Sequence, residues 1–61
     1  MTEIEQILMN RDGLTPSKAK ERLNKVRIDF QRYVIDEGMD PEEFILDELG
    51  LESDYIMDLF N

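Results

Sequence analysis

Carboxylates are the side chains of this sequence whose type and spacing could support chemistry. All seven Lys and Arg residues lie between Arg11 and Arg32, and ten acids with no basic residue follow. Pairs of carboxylates perform acid–base catalysis, and clusters of them bind Ca²⁺. The ten acids are Asp36, Glu37, Asp40, Glu42, Glu43, Asp47, Glu48, Glu52, Asp54 and Asp58.

The spacing of these acids fits neither chemistry. An EF-hand loop needs acids at alternate positions, glycine at the sixth and glutamate at the twelfth. The segment that begins at Asp36 has Gly38 third and Pro41 sixth. Acid–base catalysis also needs a concave, water-poor pocket, which a chain of 61 residues rarely has the volume to form. We therefore predict a non-enzymatic chain with no metal, no cofactor and no small-molecule substrate.

Cysteine and histidine are both missing from the sequence. Zinc fingers, cysteine proteases and Ser-His-Asp hydrolases are excluded, because each of them needs one or both residues. No apolar run approaches the ~18 residues of a membrane span, and the N-terminal residues are acidic where a signal peptide is basic. These features predict a cytoplasmic protein without a membrane partner.

A short segment around Ser53 resembles a known carrier motif. Residues 47–53, DELGLES, are similar to the segment before the phosphopantetheine-bearing serine of acyl carrier proteins, which are also small, acidic and helical. The resemblance implies an acyl-carrier-like function with Ser53 as the attachment site. Asp54 stands where that family has leucine, and the eight residues after Ser53 are too few for the family's remaining helices. The alternative is that Ser53 caps a helix.

Helix start and stop signals divide the chain into four segments. Capping residues mark the first three starts, Thr2 with Glu5 in a capping box, Thr15 before Pro16, and Asp40 before Pro41. Glycines mark the three ends, Gly13, Gly38 and Gly50. The second segment is then one long helix that runs to Glu37, and Ser53 caps a short final helix that runs through Phe60.

One apolar stripe on the long helix predicts the core. Its members recur at alternating steps of four and three, and are Ala19, Leu23, Val26, Phe30 and Tyr33, with Val34 alongside. The residues that pack on it are Ile4, Ile7, Leu8, Phe44, Ile45, Leu49, Tyr55, Ile56, Leu59 and Phe60. We predict a single all-α domain over residues 1–61, a small bundle of three to four helices with one long central helix, about 16–37, covered by short helices.

Basic residues of the long helix alternate with acids. Lys18, Arg22, Lys25 and Arg32 lie at adjoining positions of one face. The spacing predicts three intrahelical ion pairs, Glu21 with Lys25, Lys25 with Asp29, and Arg32 with Asp36. Because the net charge is −8 and no aromatic residue is interleaved with these bases, we predict no direct contact with nucleic acid.

Two isoleucines fall outside the core stripe. Ile28 and Ile35 are seven positions apart on the opposite face of the predicted helix. Either a covering helix wraps to that side, or the two residues contact a partner or a second copy of the chain. Three acids, Asp47, Asp54 and Asp58, have no evident capping role.

These five residues carry the functional prediction. We predict an interaction or regulatory domain that binds a protein, either a different one or a second copy in a homodimer, through Ile28, Ile35, Asp47, Asp54 and Asp58. An acidic surface that mimics DNA, and thereby inhibits a DNA-binding protein, is the alternative.

The order of motifs along most of the chain carries a second resemblance. RDGLT at 11–15, a long charged helix, DELGLESDY at 47–55 and DLF at 58–60 follow one another. In this order they resemble small, uncharacterised acidic helical proteins of bacteria and their phages. The resemblance implies no activity and no site residues.

Overall fold

Four helical elements make up the part of the chain that the computed structural model describes, residues 2–60. Within these residues every regular element is helical, which confirms the predicted all-α class. The elements are α1 (Glu3–Asp12), α2 (Pro16–Phe30) with a π-helical segment (Gln31–Asp36) directly after it, α3 (Pro41–Leu49), and a 3₁₀ helix (Ser53–Leu59).

The predicted capping residues begin the three α-helices. The Thr2 hydroxyl accepts from the Glu5 amide at 3.2 Å, and the Glu5 carboxylate accepts from the Thr2 amide at 3.2 Å. Thr15 accepts from the amide of Lys18 in the same way. The Asp40 carboxylate accepts from the amide of Glu42 at 2.9 Å. Each bond satisfies an amide that lacks an intrahelical partner, so the helix starts are fixed locally.

Glycine follows each of the first three helical segments, at Gly13, Gly38 and Gly50, where the backbone turns left-handed. Gly50, directly after α3, has φ of 67°, and Gly38, after the π-helical segment, has φ of 80°. The amide of Gly50 donates to the carbonyl of Leu46 at 2.9 Å. A side chain at such a φ is strained, which explains why glycine occupies these positions.

The start of the final helix differs from the prediction. Glu52 occupies the capping position, Ser53 is the first helical residue, and no side chain of residues 2–60 caps this helix with a hydrogen bond. Its hydrogen bonds span three residues, as in the 3.3 Å bond from the Tyr55 amide to the Glu52 carbonyl, and the helix ends at Leu59. Ser53 is therefore not the predicted cap, because it lies one position inside the helix.

The long helix is only partly the regular one that was predicted. Its last six residues are π-helical, and the amide of Glu37 donates to the carbonyl of Arg32, five residues earlier. A π turn holds one more residue than an α turn, so later side chains rotate by up to about 100° from their expected positions. Val34, 8% exposed, joins the core, whereas Tyr33 is 38% exposed and does not occupy its predicted place there.

Of the residues that the structure describes, eleven buried apolar ones form one core: Ile4, Leu8, Ala19, Leu23, Val26, Phe30, Val34, Phe44, Ile45, Leu49 and Leu59. Phe30 lies among three elements, with its ring centroid 5.6 Å from that of Phe44 and 5.1 Å from that of Phe60, both edge to face. Phe60 was predicted to be a core residue but is 57% exposed, because it lies beyond the end of the 3₁₀ helix.

The capping box makes a pH-dependent contribution to stability. The hydrogen bond from the Thr2 amide lowers the pKa of Glu5 below its ordinary value of 4.5. A lowered folded-state pKa stabilises the fold above the unfolded pKa, and the contribution is lost as the pH falls through the folded value. Glu5→Gln keeps an acceptor for the Thr2 amide but does not titrate. In thermal unfolding below about pH 4.5, the wild type should lose stability faster than Glu5→Gln; parallel losses would contradict this assignment.

Candidate functional site

Three arginines of the first half of the chain bind backbone carbonyls of the second half. Arg11 Nη1 donates to the carbonyl of Leu49 at 2.6 Å. Arg22 Nη2 donates to the carbonyl of Glu48 at 3.2 Å. Arg27 donates through Nε and Nη2 to the carbonyl of Asp58, at 3.1 and 2.9 Å.

These carbonyls are the ones that a helix cannot satisfy itself. Glu48 and Leu49 are the last residues of α3, and Asp58 lies in the last turn of the 3₁₀ helix. The last four carbonyls of a helix have no intrahelical donor and form the negative end of its dipole. Each guanidinium group donates hydrogen bonds to these carbonyls and places positive charge at the negative end of the dipole. Part of the basic charge therefore holds the fold together.

Observed ion pairs differ from those predicted along the long helix. Among residues 2–60, the pairs within 4.0 Å are Arg11 with Asp12, Lys18 with Glu21, Arg22 with Glu48, and Arg32 with Glu37. The predicted pairs of Glu21 with Lys25, Lys25 with Asp29, and Arg32 with Asp36 are not formed within that distance in the described chain. The π turn explains the last of these, since it brings the fifth residue after Arg32, rather than the fourth, beside it.

Most acids of the second half have no cation nearby. Among the described residues, only Glu37 and Glu48 of these ten carboxylates lie within 4.0 Å of a basic nitrogen. Several of the others have local roles. Asp40 caps α3, and Glu42 and Glu43 lie in its first turn, where the dipole favours anions. Asp54 lies in the first turn of the 3₁₀ helix, which gives it a role that the sequence did not reveal.

Asp47 is an acid in unfavourable surroundings. It is exposed and lies in the last turn of α3, where the helix dipole disfavours a negative charge by about 0.3–1 kcal/mol. Glu43 stands four residues earlier on the same side, and like charges at this spacing cost about 0.2–0.5 kcal/mol more. Glu48 in the same turn has Arg22 at 3.8 Å, but no such cation lies within 4.0 Å of Asp47 in the described residues.

An exposed leucine lies beside Asp47. Leu46 is 62% exposed, because α3 buries Phe44, Ile45 and Leu49 on its other side. Its neighbours one helical turn earlier are Glu42 and Glu43, both exposed. We call Glu42, Glu43, Leu46 and Asp47 the α3 outer face.

A shallow depression adjoins the α3 outer face. It encloses about 330 Å³ and is lined by Glu42, Leu46, Gly50, Leu51, Glu52 and Ser53. Apolar atoms make up most of its lining. Sequence reasoning did not select Leu46, although its position outside the apolar stripe of α3 was a usable signal.

The five residues of the sequence prediction lie on three elements. Ile28 and Ile35 are 69% and 50% exposed, so no helix among residues 2–60 covers them, and that alternative of the sequence prediction is wrong. The π turn rotates Ile35 away from the line that it would share with Ile28 on a regular α-helix. Asp47 and Asp54 are exposed, whereas Asp58 is half-buried. None of the five lines the depression.

Two other features, a metal site and a membrane-spanning helix, are not found among the described residues. Across Thr2 to Phe60, no three carboxylates converge as a metal site requires. Over the same range, none of the helices has the length and apolar character needed to cross a membrane.

Comparisons with protein-family models, with curated proteins and with solved structures find no match for this chain.

Proposed function

We propose that this chain is a small, non-enzymatic protein-binding domain whose partner presents a basic surface. The contact surface is the α3 outer face together with Asp54. The observation that carries the proposal is that Leu46, which is 62% exposed, lies next to Asp47, a carboxylate that lacks a cation within 4.0 Å among residues 2–60.

Neither residue contributes to the stability of the isolated fold. Leaving a leucine in water forgoes about 1.5–3 kcal/mol that its full burial would provide. Asp47 opposes the dipole of α3 and is close to Glu43. A partner that presents an apolar side chain beside a lysine or arginine would bury Leu46 and neutralise Asp47 when it binds.

The distribution of charge over the fold also favours a basic partner. Arg11, Arg22 and Arg27 point toward carbonyls of the fold, while eight of the ten acids after Arg32 have no ion pair within 4.0 Å in the described chain. A surface of one charge sign steers an oppositely charged partner and raises its association rate. The preferred partner is therefore basic.

Charge reversal tests the proposal with a matched control. The double variant Asp47→Lys with Asp54→Lys changes the proposed surface, and Glu3→Lys with Glu21→Lys makes the same change in net charge on α1 and α2. In affinity capture from the native host, the first variant should lose the wild-type partner by about tenfold or more, and the second should retain it. Equal retention, or equal loss, by both variants would contradict a local acidic contact.

Self-association is a second candidate, favoured by the exposure of Ile28 and Ile35, which reaches 69% and 50%. Burial of two isoleucines between copies would give a small domain added stability. On this candidate, the wild type sediments as a dimer, and Ile28→Glu with Ile35→Glu sediments as a folded monomer. An unchanged mass, or an unfolded variant by circular dichroism, would contradict it.

A further inference from the structure

We infer that the depression beside α3 receives one apolar side chain from a basic, amphipathic helix of the partner. The inference rests on the proposed function and specifies how the partner is recognised. Its occupant is an aliphatic or aromatic side chain, with lysine or arginine about one helical turn before and after it.

The shape of the depression fits a side chain of a macromolecule. Its volume of about 330 Å³ is near the lower limit of ligand pockets, and it is open to solvent. Leu46 and Leu51 supply apolar lining, and Gly50 between them adds no side chain. A Cβ at Gly50 would make only an ordinary van der Waals contact with Arg11 Nη1, at 3.7 Å, but the φ of 67° would strain any substitution. The backbone therefore keeps this place open.

The charges at the depression select the flanking residues of the occupant. Glu42 and Glu52 line it, Asp47 is adjacent to Leu46, and none of the three has a cation within 4.0 Å among residues 2–60. The guanidinium of Arg11, which approaches Gly50, is already bonded to the Leu49 carbonyl and to Asp12. An acidic helix would be repelled, and an uncharged one would leave the carboxylates without partners. Lysine or arginine on both sides of the inserted residue complements them.

A second copy of the chain fits the depression less well than a basic partner does. Its net charge of −8 opposes association at this acidic surface. The basic partner is therefore the occupant that we propose, and self-association is an outcome that the experiment can detect.

Two synthetic peptides serve as probes. Both are helical peptides of about 15 lysine and alanine residues, a length at which isolated helices begin to form. One carries leucine at its centre and the other carries alanine there, with lysines one turn to either side. In titrations of the ¹⁵N-labelled full chain, the leucine peptide should bind about tenfold more tightly. Its largest amide shifts should fall on Leu46, Gly50 and Leu51.

Matched variants locate the binding. Leu46→Lys should abolish the preference for leucine, whereas Met57→Lys, a change at an exposed apolar residue of the 3₁₀ helix that does not line the depression, should keep it. Equal affinity for both peptides, or shifts spread over all acids, would overturn the depression as the docking site and leave the proposed function standing. Shifts that depend on protein concentration without peptide would identify a second copy as the occupant and also overturn it. Failure of the proposed function is distinct, because it appears as a host partner that Asp47→Lys with Asp54→Lys still captures.

Discussion

Replacing Phe30 with alanine should leave the chain largely unfolded at 25 °C. The Phe30 side chain is 2% exposed and makes edge-to-face contacts with Phe44 of α3 and Phe60 after the 3₁₀ helix. Truncation of a buried phenylalanine to alanine costs about 3–5 kcal/mol. A core of this size rarely supplies more than about 3–5 kcal/mol in total, so the loss is comparable to the whole free energy of unfolding.

Tyr33→Ala is the matched control for Phe30→Ala. Tyr33 lies three residues later in the same continuous helix but is 38% exposed, since the π turn moves it off the core. Its truncation should cost about 1 kcal/mol or less. Urea unfolding followed by circular dichroism measures both changes. A native-like spectrum for Phe30→Ala, or an equally unfolded Tyr33→Ala, would show that Phe30 is not the centre of the core.

Replacing Arg27 with methionine should loosen the 3₁₀ helix from α2. Arg27 donates two hydrogen bonds to the carbonyl of Asp58, at 2.9 and 3.1 Å. Bonds from a charged donor contribute about 1.5–3 kcal/mol, and the half-buried position of Arg27 reduces this to about 1–2 kcal/mol. Each kcal/mol corresponds to a drop of about 4–8 °C in Tm for a domain of this size.

Lys25→Met is the control for Arg27→Met, because it removes an exposed base of the same helix that makes no ion pair within 4.0 Å in residues 2–60. It should leave the Tm nearly unchanged. Amide hydrogen exchange gives a local readout, since faster exchange at Leu59 and Phe60 is expected only for Arg27→Met. Equal Tm values for the two variants would contradict a structural role for the bonds to Asp58.

The helix boundaries were predictable because their causes are local. Thr2, Thr15 and Asp40 cap the helices that they were expected to begin, and Gly38 and Gly50 end the segments before them with a left-handed backbone. A capping bond spans two or three residues, so the sequence contains all the information that it needs. The buried positions of α2 follow for a similar reason, since their spacing depends only on helix geometry.

The π turn and the arginine contacts could not be predicted in this way. The arginine contacts depend on helices that are distant in sequence, and apolar spacing does not distinguish a π turn from an α turn. Arg27 bonds to a carbonyl 31 residues later, and Arg11 bonds to one 38 residues later. We predicted that the bases of the long helix form ion pairs within that helix, because the spacing of residues along a sequence reveals only such local pairs. Tyr33 was predicted to be a core residue because its position was derived for a regular α-helix, which does not continue through the π-helical segment.

The candidate site was predictable in part. Its charge was visible in the sequence, and Asp47 was correctly identified as an acid without a capping role. Asp54 does not cap a helix either, but its place in a first turn could not be predicted, since it depends on where the 3₁₀ helix begins. Leu46 was missed because three other apolar residues of α3 satisfied the core, although its position outside their stripe was a usable signal.

Binding of a basic partner through an acidic surface is tested most directly by the salt dependence of the captured complex. The dissociation constant is measured from about 0.05 to about 0.3 M NaCl, over which screening shortens from more than 10 Å to several Å. Wild type should bind about tenfold or more weakly at the higher concentration, and Asp47→Lys with Asp54→Lys should show weaker binding with less dependence on salt. A dissociation constant that does not change with salt would contradict the proposed function.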